Sequence, residues 1–261
     1  MFKKFETTFA GRKLVVETGK MANLSNGSCL VRYGETAVLV NVNMSKEPKE
    51  GIDFLPLSVD YDERLYAVGK IPGGYIKREG KPSTKAVLVS RVIDRPLRPL
   101  FPKDYRNDTA INALVLAVDP DILPEIPASV GASIALNISD IPFDVLVGTV
   151  KVGIVDGEIV LNPDLAQREK SILDLTVSAT PDKICMIEAG ANEVPDDKML
   201  EAIYMAHDIN QTIIAFIDEM VAEIGKPKHE YTSCAIPEEL FTAMKEVVTP
   251  EEMEEAVFTD E

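Results

Sequence analysis

Residues 64–101 read RLYAVGKIPGGYIKREGKPSTKAVLVSRVIDRPLRPLF, and this stretch decides the fold. Its first half is a Gly/Pro-rich loop, Gly69 to Pro82, too long for a simple turn; loops of this length in compact domains usually serve binding. Ser83 or Thr84 then caps a helix running to about Arg95, which Pro96 must kink or end. Ala86, Val89 and Ile93, joined by Leu88 and Val92, give that helix its apolar face. Strand patterns flank it on both sides.

Upstream, residues 13–18 and 28–33 read as strands, Gly34-Glu35 as a hairpin turn, and residues 36–43 and 54–59 as further strands. Downstream come a buried strand at 114–118 and a helix over 128–138 studded with small residues. A hairpin follows over 145–161 with Asp156-Gly157 at its turn, then strands at 173–178 and 183–188. Apolar residues at 199, 203, 206, 209, 213, 217, 220 and 224 predict one long helix over 196–224, stopped by Gly225 and Pro227. The expected class is α+β: βαβ units with mixed sheets packed against helices, followed by a partial all-helical segment. Residues 238–248 and 251–258 read as short acidic helices around Thr249-Pro250, too short to bury a core alone. The sequence therefore reads as stopping partway into a helical domain.

The chain has 261 residues, 46% hydrophobic and 27% charged, which excludes a disordered, fibrous or disulfide-dependent protein. No apolar run approaches the length of a membrane span. The opening MFKKFETTFAGRK lacks the apolar core of a secretory signal, and the chain is read as cytosolic. Cys29, Cys185 and Cys234 have no zinc-site spacing and read as structural thiols. His207 and His229 sit in no catalytic motif and read as surface or half-buried helix residues.

A net charge of −16 argues against a polyanionic partner, but its distribution reverses the inference. Between Arg64 and Arg106 eleven Lys or Arg face three acids, whereas from His229 onward ten acids face Lys245 alone. Within the basic island Arg91, Arg95 and Arg98 fall at i, i+4 and i+7. That spacing sets three guanidinium groups on one helical face if the helix survives Pro96. Tyr75, Ile76, Lys77 and Arg78 in the loop combine apolar faces with two cations, a composition suited to single-stranded RNA. The competing reading is a solvated helix face beside an ordinary loop.

Other features carry less. Gly69-Lys70 and Gly19-Lys20 lack the remainder of a phosphate loop, and Gly69, Gly73, Gly74 and Gly80 match no dinucleotide fingerprint. Pro127-Ala128-Ser129 either offers helix N–H groups to an anion or lets the helix lie close on a sheet. Asp60-Tyr61-Asp62-Glu63 either binds a divalent cation or decorates a turn.

Residues 64–101 also resemble the bacterial polynucleotide phosphorylase family. So do, in family order, FAGRKLVVETGKMA, YGETAVLVNV, the IPGG loop, IDRPLRPLF, VGIVDGEIVLNP and EAGANEVP. The resemblance divides the chain into a first ribonuclease-PH-like core over 1–227 and the start of an acidic helical linker domain over 228–261. For the full-length enzyme it implies processive 3′ to 5′ phosphorolysis of RNA to nucleoside diphosphates, with Mg²⁺ and inorganic phosphate as cofactors. It further implies a homotrimeric ring, single-stranded RNA and RNA-degradation proteins as partners, and no membrane. It assigns Tyr75, Ile76, Lys77 and Arg78 to the loop that constricts RNA, and Arg91, Arg95 and Arg98 to basic positions beside the channel. Ile76 and Lys77 replace an aromatic and an arginine more usual in that loop, which predicts a weaker grip.

Active cores of this superfamily carry two aspartates six apart after the VGIVDGE hairpin; the matching positions here are Arg168 and Asp174. Glu125 and Ile126 stand where phosphate-gripping serines are expected. The core is therefore expected to be catalytically silent, with no catalytic or metal residue of its own. Two other readings stay open: a non-enzymatic RNA-binding or scaffold protein, and a core that retains phosphorolysis.

Overall fold

A computed structural model describes residues 2–73 and 80–258. Among these residues ten strands form two sheets. In the first, β1 (Lys3–Phe9), β2 (Arg12–Thr18), β3 (Gly27–Tyr33) and β4 (Thr36–Pro48) make an antiparallel meander. It continues through β6 (Asn107–Ala117) to the edge strand β5 (Leu57–Glu63), in the order β1-β2-β3-β4-β6-β5. Strands β5 and β6 are parallel, joined over the sheet by α1 (Thr84–Leu97), so the sheet is mixed and this segment is a βαβ unit.

The second sheet, β10-β9-β7-β8, is antiparallel throughout. It comprises β7 (Gly148–Val155), β8 (Glu158–Leu161), β9 (Leu173–Ala179) and β10 (Ile184–Ala191), with α3 (Leu165–Lys170) between β8 and β9. Between the sheets runs α2 (Glu125–Ile138), buried from Ile126 to Ile138. Its small residues permit close approach: a Cβ at Gly131 would stand 2.7 Å from Val40 Cγ2 and 3.0 Å from Val31 Cγ2. Close packing is thus what the small residues of this helix do. The long helix α4 (Asp196–Ile224) covers β7 and β9, burying Ala202, Ala206, Ile213, Ile217 and Met220.

Several expectations need correction. Strand β1 went unread because its hairpin turns through Ala10-Gly11, both at positive φ, and Ala is a poor signal for that conformation. The strand expected at 54–59 lies at 57–63. Asp60, Tyr61, Asp62 and Glu63 therefore belong to an edge strand rather than a turn, and the buried Tyr61 donates to Glu63 at 2.7 Å. Leu88 is exposed, and the buried face of α1 is Ala86, Val89, Ile93, Pro96 and Leu97. Pro96 does not break the helix, which ends one residue later.

After α4 the chain turns back along the core before α5 (Glu238–Val247) and α6 (Pro250–Val257), which bury no residue. The amides of Lys226, His229 and Cys234 donate to the carbonyls of Ile138, Asp140 and Asp104. Lys228 Nζ donates to the carbonyls of Leu136, Asn137 and Ser139 at 2.9–3.1 Å, satisfying the end of α2. Tyr231 donates to Asp104 at 2.8 Å and meets Tyr105 edge-on.

Candidate active-site cleft and nucleic-acid interface

Ser83 caps α1 by accepting from the Ala86 amide at 3.1 Å, and the helix carries the arginines of the basic island. They are not equivalent. Arg91 is exposed and, among the described residues, has no ion-pair partner. Arg95 lies 3.4 Å from Glu188 on β10, an exposed pair of little energetic weight. Arg98 is fully engaged: it donates twice to Asp94 (2.9 and 2.8 Å) and to the carbonyls of Leu55 and Leu57 (3.1 and 2.9 Å). It fastens the end of α1 to the start of β5. Tyr75, Ile76, Lys77 and Arg78 lie outside the described residues.

On the inner side of α1 is a cleft of about 460 Å³. Its apolar wall is Leu88, Val89 and Val92; its polar wall is Glu125, Lys151, Asp174 and Glu188. The strands set this group. Lys151 of β7 faces Thr176 of β9, which in turn faces Glu188 of β10, and Asp174 lies one step along β9 on the same face. Glu125, in the first turn of α2, points into the same place, where a negative charge also suits the helix N-terminus.

The ammonium of Lys151 sits between two carboxylates, 2.9 Å from Glu125 Oε1 and 2.9 Å from Asp174 Oδ1. The side chains of Lys151 and Glu125 are each only 14% exposed. Burial by itself pulls the lysine pKa down, but Glu125 and then Asp174 outweigh it and leave it above the ordinary lysine value. The lysine is thus a fixed cation.

Sequence reasoning matched Arg168 and Asp174 as a pair, and the structure separates them. Arg168 lies on α3 and spends its guanidinium on the carbonyls of Pro120, Asp121 and Pro163. Only Asp174 lines the cleft. Of the other matched pair, Glu125 enters the cleft and Ile126 is buried in the core. Lys151 was missed. Its one signal was a lone cation inside the otherwise apolar Val150–Val155 run.

The donor set does not suit Mg²⁺, which takes carboxylate oxygens and water and would have to displace a bridging ammonium. Among the described residues no three His, Cys, Asp or Glu side chains group as a metal site. The cysteines are unpaired; burial pushes the Cys29 thiol up to about 12 and Cys185 to about 11, so both are inert. His207 is half-buried on α4 against Gln211, as expected of a helix residue, whereas His229 is exposed but lies in the coil beyond α4 rather than on a helix, because Gly225 and Pro227 have already ended it. No helix among the described residues is long and apolar enough to cross a membrane.

A buried helix clamped between a mixed and an antiparallel sheet, opening at its start on a carboxylate cleft, has the architecture of a ribonuclease-PH-like core. Comparison with known proteins agrees. The family described as "3' exoribonuclease family, domain 1" matches residues 10–142, and its "domain 2" matches residues 146–209. The chain belongs to the 3′ exoribonuclease family. It is 62% identical over 260 residues to the polyribonucleotide nucleotidyltransferase of Lachnoclostridium phytofermentans, covering 100% of this chain and 37% of that protein. The same-named protein of Alkaliphilus oremlandii is 59% identical over 245 residues (94% and 35%), and that of Clostridioides difficile 54% over 259 (99% and 37%). The chain thus spans little more than a third of the length of these relatives.

Proposed function

We propose that this chain is the RNA-channel and ring-forming core of a 3′ to 5′ phosphorolytic exoribonuclease, and that the core itself performs no chemistry. The observation that carries the silent half of this reading is the Lys151 ammonium bridging Glu125 and Asp174. A divalent ion and a phosphate both need that space, and a half-buried lysine between carboxylates supplies neither a vacant metal position nor a net positive pocket. The channel half is supported by the family, by the exposed Arg91 beside Arg95 on α1, and by the loop Tyr75, Ile76, Lys77 and Arg78 immediately before that helix.

In this reading Arg91 and Arg95 attract the RNA backbone, and Arg98 holds the helix that displays them. Mg²⁺ and inorganic phosphate serve chemistry elsewhere in the full-length protein, which assembles as a homotrimer in the cytoplasm and can meet other RNA-degradation proteins. The first core spans residues 1–227 and the start of an acidic helical linker domain spans 228–261, whose first residues, to Cys234, are hydrogen-bonded back onto the core.

The test incubates the chain with oligo(A), phosphate and Mg²⁺ while mapping RNA by ultraviolet crosslinking. No nucleoside diphosphate, with crosslinks concentrated around Arg91 and the preceding loop, is expected. Released nucleoside diphosphate refutes silence, and crosslinks scattered over unrelated faces refute the channel.

A further inference from the structure

Two carboxylates held close together repel, and the repulsion is relieved either by protonating one of them or by placing a cation between them; here Glu125 is 14% and Asp174 67% exposed, and a cation lies between them. Glu125 is anchored by its backbone in the first turn of a helix buried along its length, and its side chain is only 14% exposed. Asp174 is tied to β9 in register with Gly190 and lies one step from the Lys151–Thr176 row. Among the described residues the cation that reaches both is Lys151, at 2.9 Å from each. Its backbone is also held, its amide donating to Asn162 Oδ1 at 3.0 Å.

We infer that the Lys151 ammonium is the resident counter-ion of this cleft, standing where a divalent ion would otherwise be needed and making the core indifferent to metal. The inference deepens the silent-core reading and rests on it. It predicts that the lysine alone bars a metal: with Lys151 removed and the carboxylates kept, a cation site should open between Glu125 and Asp174. Lys85 also borders the cleft but is engaged by Glu63 at 3.3 Å, and Arg95, on the same helix, is engaged by Glu188.

The experiment titrates Mn²⁺ into the whole chain, followed by electron paramagnetic resonance and thermal melting, for the wild type, Lys151→Met and Lys151→Met/Asp174→Asn. The expected result is a saturable site in Lys151→Met at least about tenfold tighter than any in the wild type, a metal-dependent rise in melting temperature, and loss of both in the double variant. A folded Lys151→Met without such a site overturns the inference. Should Lys151→Met not fold, the wild type still decides. Equal melting in chelator and in Mn²⁺ supports the inference; a Mn²⁺-dependent rise abolished by Asp174→Asn overturns it. Phosphorolysis by the wild type would overturn the silent-core reading, whereas a wild-type Mn²⁺ site without phosphorolysis would overturn only the counter-ion.

Discussion

Arg98 grips Asp94 one turn back on α1 with two parallel hydrogen bonds of 2.9 and 2.8 Å, and its outer nitrogens reach on to the Leu55 and Leu57 carbonyls. Arg91, two turns earlier on the same helix, is exposed. Three arginines at helical spacing therefore divide into a fastener and a display. Arg98→Ala should lower stability by about 1–2 kcal/mol in urea unfolding, because two strand-entry carbonyls and Asp94 lose their donor at a half-exposed site. Arg91→Ala should leave the melting curve unchanged, weaken oligo(A) binding severalfold, and reduce the slope of log affinity against log salt by about 1. An Arg91→Ala protein with the wild-type salt slope would exclude this residue from the channel.

Gly131 lies at the crossing of α2 with β3 and β4, where a methyl would come within 2.7 Å of Val40. Gly131→Ala should therefore destabilise by about 1–3 kcal/mol, against the usual gain from Gly→Ala in a helix. A neutral or stabilising result in chemical denaturation would mean the sheet yields where the packing says it cannot.

Arg168→Asp recreates the sequence spacing of two aspartates six apart without recreating a site. Position 168 faces the 120–121 loop and Pro163, so the variant should lose about 1–3 kcal/mol of stability with its carbonyl contacts and acquire no Mn²⁺ affinity. Tight Mn²⁺ binding by this variant would show that α3 can swing its side chain into the cleft.

Lys228 supplies a pH signature. Burial holds its pKa down to about 8 from an ordinary 10.5, with Asp144 and Asp140 offsetting part of that shift. Between those values the unfolded chain binds a proton that the folded chain does not. The contribution of this group to stability therefore rises with pH through that window and is flat below it. Relative to Lys228→Met, the wild type should gain stability from pH 8 to 10.5 in urea unfolding followed by circular dichroism. Parallel profiles for the two proteins would contradict the assignment.

Local patterning explains what was legible in the sequence. The apolar spacing from Met199 to Ile224 predicted α4 with its observed ends, because one face of a long helix repeats enough times to be unambiguous. Asp156-Gly157, both at positive φ, fixed the β7–β8 hairpin in the same way. Strand β5 was misplaced because Phe54 is apolar yet 60% exposed, while its true residues alternate acids with Val59 and Tyr61. The cleft was half visible: Asp174 and Glu125 could be reached by matching motifs. Lys151 could not, because its meaning arises only when β7 pairs with β9 and α2 lands beside them, across 23 and 26 residues of chain.

The nine-residue return from Lys226 to Cys234 has a consequence for how the protein is made. The carbonyls at the end of α2 wait through 89 to 92 further residues before the ammonium that satisfies them has been synthesised. Emerging from the ribosome N-terminus first, the nascent core must pass through an interval with that helix end unsealed. The vulnerable moment for misassembly is thus a late one, and any shorter version of the protein intended to fold should run beyond Cys234.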